Sequence, residues 1–310
     1  TRQRTSEIAL PAERGRVLDR AAAPLAFSVE ARALVTNPRL IATTKGAGTA
    51  AYVTEMAATI AQSTGADATA LRTALESDKG YVVLVPLVDP DVARTLRDKY
   101  PEIAEEKRES RQYPGGALAA NVVGVASWNA TDRKLTGLMG LESSQDNLLA
   151  GQDGLRVVDT AEGSSAVIPG STRFERPATP GSDLQLTLDS DLQYTMQRQL
   201  AEYAAAKGAK GGSAVVLDAK TGEVLAMANA RTFDPRTFAS ADETTLGNPA
   251  VSSPYEPGSV NKVVTMAAAL EYHTAAPDRV FSVPGSIRVA DRTVSDAWNH
   301  GTEPYTLTGI

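Results

Sequence analysis

A chain of 310 residues with 42% hydrophobic and 22% charged side chains has the make-up of a globular protein of about two domains, which excludes disordered and collagen-like classes. A net charge of −6 with no basic stripe argues against nucleic acid as a partner, and the absence of Cys with only two His argues against a structural zinc site. The longest apolar run, residues 81–88, falls far short of the roughly 18 residues a membrane span needs, and any anchoring segment is expected upstream of Thr1.

Residues 16–18 and 25–29 read as extended around Asp19, and helical spacing appears over 49–62 and 67–76, with Gly65 between them. Residues 81–88 are β-branched and apolar enough for a buried strand. Asp89-Pro90 then reads as the cap and first turn of a helix reaching Tyr100 and ended by Pro101. Turn residues at 113–116, 128–137 and 151–154 punctuate the next stretch, with a helix predicted over 141–149. Three prolines and two glycines in 169–182 place a domain boundary near Gly181, giving modules 1–181 and 182–310. Beyond it come a strand at 184–188 and a helix capped by Asp189 or Ser190, with Leu192, Met196, Leu200 and Tyr203 on one face and Gly208 at its end. Next are strands at 213–217 and 223–228, joined by a bulged hairpin loop ending in Gly222. A last helix runs from about Ser259 to Tyr272, with Val263, Met266, Ala267 and Leu270 on one face. The predicted class is α+β, with helices packed on an antiparallel sheet.

The sharpest chemical candidate is Ser259-Val260-Asn261-Lys262, a hydroxyl and an amine three residues apart where a helix begins. The first turn of a helix presents free N–H groups and the positive end of the dipole, which favour an alkoxide or a developing oxyanion. A neutral Lys262 could then take the proton of a nucleophilic Ser259. Spacing alone does not separate this from a serine that merely caps a helix. Lys220-Thr221-Gly222 spells a motif of serine-lysine acyl enzymes but sits in the hairpin turn, so it is assigned no catalytic role. His273 reads as a partner of the dipole at a helix C-terminus, and nothing in the sequence specifies a role for His300.

The surrounding sequence favours the nucleophile. Arg14, Gly15, Asp19, Arg20, Leu25 and Ala26 match the pattern R-G-x-x-x-D-R-x-G-x-x-L-A, departing at Ala22 where glycine is usual. Arg111, Tyr113, Pro114, Ala119, Ala120 and Gly124 then fit R-x-Y-P…A-A…G, and Gly140-Leu141-Glu142 through Asp146 and Gly151 come next in order. The stretches at 186–193, 218–227 and 255–262 complete a series that resembles the class B penicillin-binding proteins across essentially the whole chain. Gly247-Asn248-Pro249-Ala250-Val251 and Val260-Asn261 look most like the septal transpeptidases of actinobacteria.

The resemblance implies a non-catalytic pedestal at 1–181 and the first part of a transpeptidase domain at 182–310. It makes Ser259 the acylated nucleophile and the β-lactam-binding residue, Lys262 its base, and the Ser259 N–H half of an oxyanion hole. It implies no metal or organic cofactor. It implies peptidoglycan stem peptides and β-lactams as ligands, divisome membrane proteins including a glycan polymerase of the SEDS type as partners, and an extracytoplasmic site behind a single-pass anchor. The S-x-N and K-T-G motifs of the family do not occur between Lys262 and Ile310, so this stretch alone is expected to be inactive. A non-catalytic divisome scaffold and an elongation-type enzyme stay open as alternatives. A β-lactamase or β-lactam sensor would not need residues 1–180.

Overall fold

The computed structural model describes residues 4–160 and 167–310. Strand β1 (Arg4–Leu10) and the short β2 (Val17–Leu18) precede β3 (Pro24–Thr36), which carries the strand expected at 25–29 on through Thr36. Helix α1 (Pro38–Lys45) starts where the Asn37 side chain accepts from the Leu40 N–H, α2 (Thr49–Thr64) stops at a left-handed Gly65, and α3 (Ala68–Leu75) is capped by Asp67. After β4 (Val82–Val88), the Asp89 carboxylate accepts from the Asp91 and Val92 N–H groups and Pro90 opens α4 (Pro90–Lys99), as the sequence reads.

Strand β5 (Ile103–Gln112) is one that the sequence pattern does not reveal. Short α5 (Ala120–Val123) leads into the hairpin β6 (Val125–Asn129) and β7 (Lys134–Met139). The single helix expected over 141–149 is broken at Gln145 into α6 (Gly140–Ser144) and α7 (Asp146–Leu149). Strands β8 (Gly154–Thr160), β9 (Phe174–Arg176) and β10 (Leu184–Gln185) come next, then α8 (Ser190–Ala206) with Asp189 as its cap. The hairpin β11 (Ser213–Leu217) and β12 (Val224–Asn229) has the left-handed Gly222 in its loop, where the sequence placed the bulge, and a separate register shift inside the ladder between Val216 and Leu217. A one-turn α9 (Pro249–Ser252) precedes α10 (Lys262–Glu271), and β13 (Val280–Pro284), β14 (Ser286–Val289), β15 (Arg292–Ser295) and β16 (Thr302–Thr306) form two ribbons, β13 with β16 and β14 with β15.

The mixed α+β class is as predicted. Strand β3 organises the first core: β2 and β4 flank it at opposite ends, β5 pairs antiparallel with it from Phe27 to Thr36, and β10 adds to β2 in parallel. Leu34, Val85 and Ile103 from the sheet and Ile41, Met56, Ile60, Leu71 and Leu96 from helices α1–α4 make one enclosed apolar cluster. Burying each of these side chains contributes about 1.5–3 kcal/mol. A second cluster joins Val17, Leu25, Tyr113, Val123 and Leu149 to Leu188 and Phe233. Sharing of this core explains why the first compact unit extends to Ser253; residues Pro254–Ile310 form a second unit.

Residues singled out far apart in the chain converge in a buried ion-pair network. Arg14 donates from Nε to Glu142 Oε2 at 2.8 Å and from Nη1 to Asp146 Oδ1 at 2.7 Å, and Arg111 donates from Nε to Glu142 Oε1 at 2.7 Å. Side chains of Arg14, Arg111 and Glu142 are no more than 1% exposed. The Tyr113 hydroxyl accepts from the Ala126 N–H at 2.7 Å, and burial together with the nearby Glu142 carboxylate raises its pKa. Gly124 and Gly140 make the same centre possible: both have positive φ (+82° and +62°), and a Cβ on Gly124 would lie 1.9 Å from the Met139 carbonyl oxygen.

The opening motif also clamps the segment from Leu184 to Ser190. Gly15 N–H donates to Leu149 O, Leu184 N–H to Arg16 O and Leu186 N–H to Leu18 O, while Ser190 Oγ donates to Asp19 Oδ2 at 2.6 Å. Asp19 Oδ1 in turn accepts from the N–H groups of Ala21 and Ala23, closing the turn in which Ala22 stands where the family pattern has glycine. That turn keeps its left-handed corner, since Ala22 sits at φ +62°. A left-handed Cβ costs roughly 1–2 kcal/mol, so Ala22→Gly is expected to stabilise the protein by about 1 kcal/mol, read as a rise in the urea midpoint at unchanged slope. No gain would mean that the corner is not strained.

Candidate active site

Ser259 and Lys262 lie in the unit Pro254–Ile310. The one helix expected from Ser259 to Tyr272 is two pieces, a 3₁₀ turn over Gly258–Asn261 that runs into α10 at Lys262. The turn opens on Gly258 at φ +57°, a conformation that a β-carbon would strain. In a 3₁₀ turn, residues three apart eclipse, so the local geometry sets Ser259 directly before Lys262 on one side of the element. Both are exposed, and among the described residues neither the Ser259 hydroxyl nor the Lys262 ammonium has a hydrogen-bond or ion-pair partner. The chemistry available is that of a free hydroxyl beside a primary amine, at the end of a helix where the dipole favours negative charge. The apolar face of α10 is also uncovered: the helix buries no residue, and Val263 and Val264 are 71% and 66% exposed.

The other residues weighed in the sequence have structural places. Lys220 and Thr221 donate their N–H groups to the Asp218 carboxylate in the β11–β12 turn, with Gly222 at φ +76°, so this triplet is a turn. His273 stands in left-handed conformation (φ +52°) just past α10, its N–H closing on the Leu270 carbonyl, so its backbone caps the helix end. Gln193 has a purpose that the sequence did not show: 1% exposed, it donates from Nε2 to Met227 O at 2.9 Å and accepts from Met227 N–H at 2.7 Å, fastening α8 to β12. Asn121 likewise donates to the carbonyls of Thr245 and Gly247, and Asn229 donates to Asn248 Oδ1. The segment Gly247-Asn248 is therefore held by side chains of α5 and β12 within the first unit.

His300 is the second residue the sequence left without a role. Its Nε2 lies 2.8 Å from Asp296 Oδ2 and its Nδ1 2.7 Å from the Gly301 carbonyl, between the rings of Trp298 and Tyr305. Only the imidazolium donates to both acceptors at once. The hydrogen bond to Asp296 holds the His300 pKa above its ordinary 6.5, helped by the Gly301 carbonyl and by Glu303 and opposed by desolvation. The stabilisation it gives the ribbons is fully present below about pH 6.5 and is lost as pH rises through the raised folded-state value. Hydrogen-exchange protection of β13 and β16 is expected to fall across that interval, and His300→Gln is expected to flatten the dependence. Equal pH dependence in the variant would remove His300 as its origin.

The same pair falls inside a known family. Residues 9–186 match the model of the penicillin-binding protein dimerisation domain, and residues 212–310 match that of the penicillin-binding protein transpeptidase domain. The chain belongs to the class B penicillin-binding proteins of the FtsI type. It is 46% identical to penicillin-binding protein PbpB of Mycolicibacterium smegmatis over 97% of this chain and 48% of that one. It is 27% identical to the peptidoglycan D,D-transpeptidase FtsI of Escherichia coli over 96% and 48%. Among solved structures, penicillin-binding protein 3 of Mycobacterium tuberculosis complexed with aztreonam superposes with a TM-score of 0.59 at 37% identity, covering 97% of this chain and 46% of that one. The chain thus spans about half the length of these relatives. Among the described residues no helix is long and apolar enough to cross a membrane.

Proposed function

We propose that this chain is the pedestal, residues 1–181, and the first part of the transpeptidase domain, residues 182–310, of a septal peptidoglycan D,D-transpeptidase. The observation that carries the reading is the Ser259–Lys262 pair at a 3₁₀-to-α junction, free of other partners among the described residues. In this mechanism Ser259 Oγ attacks the carbonyl carbon of the penultimate D-Ala of a stem peptide while Lys262 takes the hydroxyl proton. The terminal D-Ala leaves as the free amine, receiving that proton, and an ester to Ser259 remains. The amine of a neighbouring stem then attacks the ester, forms the cross-link and returns the proton to Ser259. A β-lactam acylates the same oxygen by opening its ring.

The domain limits are supported by the first family match, which ends at residue 186, close to Gly181; the second match begins at residue 212. The partners in this reading are divisome membrane proteins, among them a glycan polymerase of the SEDS type, and the site is extracytoplasmic behind an upstream single-pass anchor. Replacement of the chromosomal copy by Ser259→Ala tests the reading. Loss of growth with normal protein level is expected; growth sustained by Ser259→Ala, with only pedestal lesions lethal, would make the protein a scaffold instead.

A further inference from the structure

The face of the β3–β4–β5 sheet that turns away from the helices carries a cavity of about 280 Å³, lined by Tyr81 and Val83 at the start of β4, Glu106 and Arg108 of β5, and Trp128 and Arg133 of the β6–β7 hairpin. Ala31 and Ala33 of β3 stand opposite Arg108 and Glu106 in the register, so small side chains leave room above the middle strand. Arg108 is poorly satisfied there. Its side chain is only 9% exposed, its Nε is buried without a hydrogen-bond partner, and its Nη groups reach only the Pro86 carbonyl at 3.4 Å and Glu106 Oε2 at 3.7 Å. The Glu106 carboxylate is engaged elsewhere, since Tyr81 donates its hydroxyl proton to Oε1 at 3.1 Å. Trp128 covers the guanidinium, 5.4 Å from ring centre to Cζ. Arg133, exposed in the hairpin turn, has no ion-pair or hydrogen-bond partner among the described residues. A buried arginine whose donors are poorly used carries a cost that a bound anion removes. Two guanidinium groups against Glu106 leave one net positive charge, the complement of a single carboxylate rather than of a run of acids.

We infer that this cavity is an exosite for un-cross-linked stem peptides, taking their terminal D-Ala-D-Ala by its free carboxylate, in a different compact unit from Ser259; this rests on the peptidoglycan reading above. The arginine pair meets a carboxylate in charge and in fork geometry. Val83 and the Trp128 ring offer apolar contact to the two methyl groups. A cavity this small admits the end of a peptide, whereas a stable interface with a folded partner covers roughly 800 Å² on each side. The proposed reaction supplies the discrimination. A stem that still has its terminal D-Ala carries this carboxylate and loses it when that residue leaves, so the cavity holds unreacted donors and releases reacted ones. A strand held this way stays beside the enzyme after one cross-link has been made.

The probe is the tripeptide Nα,Nε-diacetyl-Lys-D-Ala-D-Ala, added to the protein of natural length after acylation with benzylpenicillin, so that Ser259 is already occupied. A saturable change in tryptophan emission that the Trp128→Phe protein does not show is expected. The C-terminal amide of the same tripeptide is expected to bind about 10- to 100-fold more weakly, and Arg133→Ala to weaken the free acid by a similar factor. Arg133 is the residue to change because it is exposed and its removal leaves the fold intact. Equal affinity for acid and amide, or an unchanged affinity in Arg133→Ala, would overturn the proposal. So would displacement by equimolar acetate or phosphate, which would make the cavity a site for any small anion, or tighter binding of a hexaglutamate peptide, which would make it a dock for an acidic protein segment. The mass of the same sample separates the two readings: a penicilloyl adduct without tripeptide binding removes the exosite alone, and no adduct removes the transpeptidase reading and the exosite with it.

Discussion

Glu142→Ala is expected to lower folding stability by about 3–5 kcal/mol, the usual result of removing one partner from a buried ion pair. Its carboxylate is shared by Arg14 and Arg111, each 1% exposed, and its loss leaves the Arg111 Nε without its acceptor while Arg14 keeps only Asp146 and the Glu142 carbonyl. The pair Arg16–Asp183 is the natural contrast. With side chains 57% and 39% exposed, it is screened by water, and Asp183→Ala is expected to cost no more than about 1 kcal/mol. Urea unfolding of the two variants side by side measures both. A cost for Glu142→Ala as small as that of Asp183→Ala would mean that the apolar cluster around Tyr113 and Val123, and not the ionic network, fixes this part of the fold.

Lys262→Ala is expected to slow acylation by benzylpenicillin about 10²- to 10⁴-fold, the range contributed by a positioned general base, without moving the melting temperature. Stability is spared because Lys262 is exposed and holds no partner among the described residues. Lys262→Arg should not restore the rate, since a guanidinium does not give up its proton near neutral pH. Stopped-flow acylation of the protein in its natural length reads the two rates, and thermal unfolding reads the melting temperature. A Lys262→Ala rate within about threefold of the unaltered protein would return Lys262 to an ordinary helix-start lysine, because general-base catalysis on the order of 10² or more would then be missing.

Much of the fold is written locally and could be read from the sequence. Asp89-Pro90, Asp67 and Asp189 begin helices where their side chains reach a free N–H, and Gly65 ends one because it accepts positive φ. Strand β5 was missed for a physical reason. Its sequence IAEEKRESRQ is so charged that no apolar alternation shows, although Arg108 and Arg111 are buried, one beneath Trp128 and the other on Glu142. Convergence of Arg14 with Glu142, 128 residues apart, is a property of the tertiary fold that spacing does not encode. The motif resemblance named these residues without saying that they touch, and it named Gln193 without its two bonds to Met227. At the candidate site, residue type and the i, i+3 interval pointed to Ser259 and Lys262, while the division of the helix at Lys262 and the exposure of its apolar face came only from the structure.

The most direct test of the account is the covalent bond it requires. Protein purified from its own cells, in its natural length, is incubated with benzylpenicillin, and intact mass measurement with peptide mapping locates the adduct. One penicilloyl group on Ser259, absent from Ser259→Ala, is the predicted result. An adduct on another residue, or none on a folded protein, would contradict the assignment of Ser259 as the nucleophile.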